Sequence, residues 1–179
     1  MKTSHLKRII CQEGIGLIEL LISAALTVLI GAIALEFYML QHNRLIVEED
    51  ISDMQQNARV AMDEIARNIR IAGFGLTSSP SIAVGSDTLI IYYKLGAKTD
   101  TVVYYISRTD PAHPNLMKKV SSGAAQVFAE DIDSLKFTQS GKLVNVRLIA
   151  REAAKDQGFT GDKYRRRILT SNVKVRNNI

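Results

Sequence analysis

Three histidines, one cysteine and a few closely spaced acids are the side chains from which a reactive or metal-binding site could be assembled here. His5, His42 and His113 include no two at the helical spacing a metal pair needs, and no Ser/His/Asp set is evident. Asp131-Ile132-Asp133 could hold calcium only with the Gly and distal Glu of an EF-hand loop, which are missing, so these read as solvated strand-end acids. Cys11 stands alone, which excludes an intramolecular disulfide. It is preceded by Lys7 and Arg8 rather than by the apolar stretch of a lipoprotein cleavage site. No catalytic residue, metal or cofactor is expected, and enzymatic activity is not the expected class. The basic run Tyr164-Arg165-Arg166-Arg167 would put Arg165 and Arg167 on one face of a strand and Arg166 on the other. A solvated or subunit-pairing surface fits it better than a DNA-binding patch.

The one polar group in an unusual setting is Glu19. It lies in an apolar run from Ile15 to Leu40, 26 residues interrupted only by Glu19 and Glu36. At 1.5 Å per residue the run is roughly 39 Å of helix, enough to cross a ~30 Å hydrocarbon core with tilt. An ionisable group in such a segment is costly and is a functional candidate by default. A carboxylate at headgroup depth, favoured by a helix N-terminus, is the plain alternative.

The flanks set the orientation. Lys2, Lys7 and Arg8 against Glu13 account for +2 of the formal net charge of +5, leaving +3 for the rest of the chain. Arg44 and the acidic Glu48-Glu49-Asp50 follow the run. The positive-inside rule places the N-terminus in the cytoplasm and the remainder outside, which in a Gram-negative cell is the periplasm. The apolar run follows the basic head without a small-residue cleavage site after it, so it reads as a retained inner-membrane helix. The modest residual charge gives no reason to expect a nucleic-acid partner.

Beyond the membrane run, Val47, Ile51, Met54, Ala58, Ala61 or Met62, Ile65, Ile69 and Ala72 recur at steps of three and four, which predicts an amphipathic helix. Ala72-Gly73-Phe74-Gly75 supplies its glycine stop. The pattern then changes to β-type runs: 88–95, 101–107, 116–120, 131–138, 143–151 and 166–175. Gly96 to Asp100 is expected to connect the first two. Short turns between consecutive strands predict an antiparallel sheet, whose apolar face buries the helix stripe. The fold class is α+β.

The string Glu13-Gly14-Ile15-Gly16-Leu17-Ile18-Glu19 resembles the prepilin signature of type IV pilin-like proteins: a short basic leader ending in Gly, an apolar first mature residue, and Glu as the fifth. Ile15 and Gly16 stand where the family usually has Phe or Met, then Thr or Ser. The resemblance implies cleavage by a prepilin peptidase between Gly14 and Ile15, N-methylation of Ile15, and an inter-subunit assembly role for Glu19. Gly31 reads either as a glycine that a membrane helix simply tolerates or, as in some pilins, as a weak point where the helix could stretch on assembly. The helix end Asn57 to Met62 and Arg67 to Phe74, with Val127 to Phe137 and the ending Tyr164 to Asn177, resembles PilW-like minor pilins.

The implied organisation is a leader (1–14), the transmembrane half of a long helix (15–40), its amphipathic half (41–75) and a periplasmic β-rich domain (76–179). The implied role is a structural subunit in pilus assembly or initiation, for motility, adhesion or DNA uptake. It would lie in membrane lipid before assembly, then at the pilus or cell surface. Its partners would be other major and minor pilins, the peptidase and the inner-membrane assembly platform. A J-type pseudopilin of type II secretion is the alternative, and a membrane-anchored binding module or enzyme a more remote one.

Overall fold

A computed structural model of the chain describes residues 16–77, 80–153, 155 and 158–177. Gly14 and Ile15, the expected cleavage pair, lie outside the described residues. The chain divides into two compact units, Met1–Leu45 and Ile46–Ile179. Helix α1, Leu17–Ile71, belongs to the first unit up to Leu45 and to the second from Ile46.

Within the second unit α1 buries Met54, Ala58, Ala61, Met62, Ile65, Ala66, Asn68 and Ile69. The spacing is the expected three-and-four stripe. Three alanines on that face leave little side chain between helix and sheet, so the helix can approach closely. The helix stops at Ile71 because Gly73 turns with φ 79° and Gly75 with φ 70°. Gly73 N–H donates to the Tyr92 carbonyl at 2.8 Å, and a Cβ on Gly73 would lie 1.8 Å from the Asn177 carbonyl oxygen. No other residue fits a left-handed turn pressed onto backbone in this way.

The strands are β1 Ile82–Val84, β2 Thr88–Leu95, β3 Lys98–Ser107, β4 Asn115–Val120, β5 Gln126–Ala129, β6 Ile132–Ser140, β7 Leu143–Arg151 and β8 Arg166–Lys174. They form two antiparallel sheets, β1-β2-β3-β4-β5 and β6-β7-β8, rather than one. Alternate residues turn inward: Leu89 and Ile91, Val102 and Tyr104, then Val144, Val146, Leu148 and Ala150. One core cluster joins these side chains to the α1 stripe.

Lys98 to Asp100 pair with Tyr93 to Leu95, so the β2–β3 turn is only Gly96-Ala97, shorter than the composition implies. Ladder hydrogen bonds override the polar character of Lys98, Thr99 and Asp100. In β6, Ile132 pairs with Ala150 while Ser134 pairs with Ile149, leaving Asp133 as the extra residue of a bulge. The bulge shifts the phase, so Ile132 and Leu135 both point inward although three residues apart.

A polar network ties α1 to the larger sheet. Asn68 Nδ2 donates to Tyr104 Oη at 2.7 Å and to Glu64 Oε1 at 3.0 Å, and Lys118 Nζ donates to Glu64 Oε1 at 2.7 Å. Burial, and then the nearby Glu64 carboxylate, push the Tyr104 hydroxyl above its ordinary range. The Lys118 hydrogen bond holds the Glu64 carboxyl below its ordinary value against the opposing effect of burial. A depressed carboxylate stabilises the fold fully above its unfolded pKa, near 4.3, and the contribution disappears as pH falls through the folded value. Glu64→Gln should therefore melt below wild type at pH 7, and the gap should close as the detergent-solubilised chain is acidified through about pH 4. A gap of constant size down to pH 3 would contradict this account of Glu64.

Candidate functional site

The candidate site is the first unit's share of α1, and it is built from the exposure of the helix. Every residue from Leu17 to Leu45 is exposed, including Leu20, Leu21, Leu26, Val28, Ile30, Ile33 and Phe37. Its most apolar 18-residue window has a mean hydropathy of 2.4 and contains no buried residue. A core helix of a soluble domain would be largely buried. This one carries its apolar surface uncovered by its own chain, which is compatible with a single-pass membrane anchor.

The two aliphatic hydroxyl side chains of the segment are satisfied by their own helix. Ser23 Oγ donates to the Leu20 carbonyl at 2.9 Å and Thr27 Oγ1 to the Ser23 carbonyl at 2.7 Å, so neither hydroxyl needs an outside partner. Tyr38 stacks on His42 with ring centroids 6.1 Å apart, at the end of the apolar stretch where amphipathic rings suit a membrane–water boundary. Tyr38 was not singled out by sequence reasoning; its signal was an i, i+4 ring pair at the edge of the apolar run.

Glu19 sits in the first turn of α1, its N–H donating to the Gly16 carbonyl at 2.9 Å. Its side chain is exposed. The α1 macrodipole favours a carboxylate at this end. Gly31 is twelve residues further on, about 18 Å along the axis, so the two do not form one site. The helix is continuous through Gly31, and nothing lies within 4 Å of the position its Cβ would take.

In the second unit the acids and cations singled out in the sequence are brought together, but as structural ion pairs. Asp133, delivered by the β6 bulge, accepts from Arg166 Nε at 2.8 Å and lies 3.7 Å from Arg151 Nη1. Asp131 lies 3.0 Å from His113 Nδ1. Neither is a simply solvated strand-end acid. Arg166 also pairs with Asp162 through a two-pronged contact that holds the aspartate down to about 2. Arg165 Nε is 3.8 Å from Glu152 Oε1. Arg165 and Arg166 of the basic run are therefore paired with acids, the nearby Asp162 and the more distant Asp133 and Glu152.

Arg151, almost fully buried, donates to the carbonyls of Pro111 and Ala112 and stacks on Tyr164 at 4.6 Å, clamping the β3–β4 loop. Among the described residues no group of three or more His, Cys, Asp or Glu side chains could hold a metal ion.

Fold and site together define an α+β protein whose long helix has an uncovered apolar half. Comparison with protein-family models, with curated proteins and with solved structures found no match.

Proposed function

We propose that the chain is a structural subunit of a type IV pilin-like filament, in the PilW-like minor-pilin branch. It would be held in the inner membrane by the first half of α1, both before and after a separate peptidase removes the leader by cutting after Gly14, until it is assembled. The observation that supports this reading best is the change of character within one helix. α1 is apolar and uncovered from Leu17 to Leu40, with Glu19 in its first turn, and its continuation is buried in the core of the second unit.

The physics of assembly follows from the solvent. Lipid tails are as apolar as a neighbouring helix, so Leu, Ile and Val side chains gain little by exchanging one for the other and cannot specify register. A charge can. Cleavage after Gly14 frees the α-amino group of Ile15, four residues before Glu19. An amine on one subunit and the Glu19 carboxylate on its neighbour form a pair whose members are each heavily penalised when unmatched in a low-dielectric setting. The axial offset that matches them is thereby selected. No chemistry on a bound substrate is needed for this role.

The leader is tested by mass. In cells with an active prepilin peptidase, wild type should lack Met1 to Gly14 and carry a methyl group on Ile15, and Gly14→Val, with a bulky side chain before the scissile bond, should keep its leader. Normal trimming of Gly14→Val, or an untrimmed wild-type chain, contradicts the assignment.

A further inference from the structure

The second unit carries unmatched charge of opposite sign at its two ends. A groove of about 620 Å³ is lined by Arg70, Lys142, Lys174 and Arg176 together with Asn172, Val173 and Val175. These cations come from the last turn of α1, the β6–β7 turn and the end of β8. None of the four makes an ion pair or a side-chain hydrogen bond among the described residues. The obvious basic motif of the sequence, Arg165 to Arg167, is mostly neutralised. The open positive surface is assembled instead from positions far apart in the chain.

A second, smaller pocket of about 150 Å³ is lined by Asp50, Asp53 and Glu130, with Asn57, Asp131 and Arg151. Asp131 is taken up by His113, and Arg151 by Asp133 and two backbone carbonyls. Asp50, Asp53 and Glu130 have no ion-pair partner among the described residues.

Two elements measure the separation independently. From Asp53 to Arg70 is 17 residues of α1, about 26 Å at 1.5 Å each. From Asp131 to Lys142 the chain runs the length of β6, nine residues, about 30 Å at 3.3 Å each. The acidic pocket and the basic groove thus lie at opposite ends of one unit.

We infer that the basic groove is a head-to-tail docking surface for the Asp50/Asp53/Glu130 end of a second copy of this chain. The inference rests on the reading of the chain as a polymerising subunit, and specifies which surfaces of the second unit meet. Charge complementarity within one sequence argues for this occupant. A contact between two different patches at opposite ends is heterologous, so it leaves a free end at each step and propagates. No aromatic side chain lines the groove, so it offers no stacking platform of the kind single-stranded nucleic acid uses. Among the described residues β8 is also an edge of its sheet, with no strand hydrogen-bonded on its outer side.

The test uses the leader-processed chain in detergent micelles at low salt, where neighbouring anchors are not held at one depth, prepared as an equal mixture of normal and ¹⁵N-labelled protein and treated with a zero-length carbodiimide. Amide links between Lys142 or Lys174 and Asp50, Asp53 or Glu130, found in mixed light–heavy pairs, are the expected result. Lys142→Glu/Lys174→Glu should weaken self-association about tenfold at low salt, and adding Asp50→Lys/Asp53→Lys should restore it. Each variant's thermal melt should match wild type. Chains that associate but link through other residues, or whose association ignores both charge reversals, overturn this contact and leave the filament reading standing. Chains that stay single at every concentration overturn this contact too and leave the filament reading standing, because a minor pilin assembles with other pilins; that reading is tested separately by the mass of the processed chain.

Discussion

Glu19→Ala chains should lose their leader, stay in the membrane and be nearly absent from filaments. The carboxylate lies in the first turn of an apolar helix, and its side chain is exposed within its own chain. Replacing it removes one member of the proposed amine–carboxylate pair and leaves the Ile15 ammonium of the neighbour unmatched. Removing one partner from a buried ion pair costs on the order of 3–5 kcal/mol, mostly the penalty of the stranded charge. At roughly 1.4 kcal/mol per decade that is about two to three and a half orders of magnitude in incorporation.

The second unit should be untouched, since Glu19 contributes nothing to its core. The measurement is the subunit content of sheared filaments divided by the membrane content, with a thermal melt of the same variant as the control. Equal incorporation of Glu19→Ala and wild type would show that the carboxylate only sits at headgroup depth.

Ile65→Ala has the opposite profile. Ile65 is fully buried in the α1 stripe, between Met62 and Ile69 on the same helix face. Removing three carbons from such a site loses their transfer free energy and leaves a cavity that helix and sheets cannot both close. Changes of this kind cost about 2–5 kcal/mol, against a total stability of about 5–15 kcal/mol for a domain. The second unit should unfold at markedly lower urea, while membrane retention and leader removal proceed as in wild type. A loss below about 0.5 kcal/mol, the size of an ordinary surface change, would mean that this helix face is not part of the unit's core.

The contrast between these two variants reflects how differently the two halves of α1 are written. Glu19 is legible because it is one of only two charges, with Glu36, in a 26-residue apolar run and stands near the start of that run. The stripe from Met54 to Ile69 is legible because amphipathic periodicity persists over several turns. Asn68 is not: it lies on the apolar face, and only the fold shows that Tyr104 and Glu64 receive its amide.

The long strands β2, β6, β7 and β8 stand out through runs of alternating or β-branched residues. β1 and β5, three and four residues long, are too short to show a period. One sheet was expected and two are present, because the β6 bulge and the break after β5 depend on register and not on composition. The basic groove escaped for the same reason. Arg70, Lys142, Lys174 and Arg176 become neighbours only when the end of α1, a hairpin turn and the end of an edge strand meet.

The central claim is that this chain leaves the membrane as a processed filament subunit. Filaments sheared from cells expressing the chain, analysed by intact mass and N-terminal peptide mapping, test it most directly. The account predicts a mature chain beginning at Ile15, with 165 residues, the full 179 less the 14 of the leader, present in the sheared fraction and lost from it in Glu19→Ala. A chain recovered only from the membrane fraction, still beginning at Met1, would contradict it.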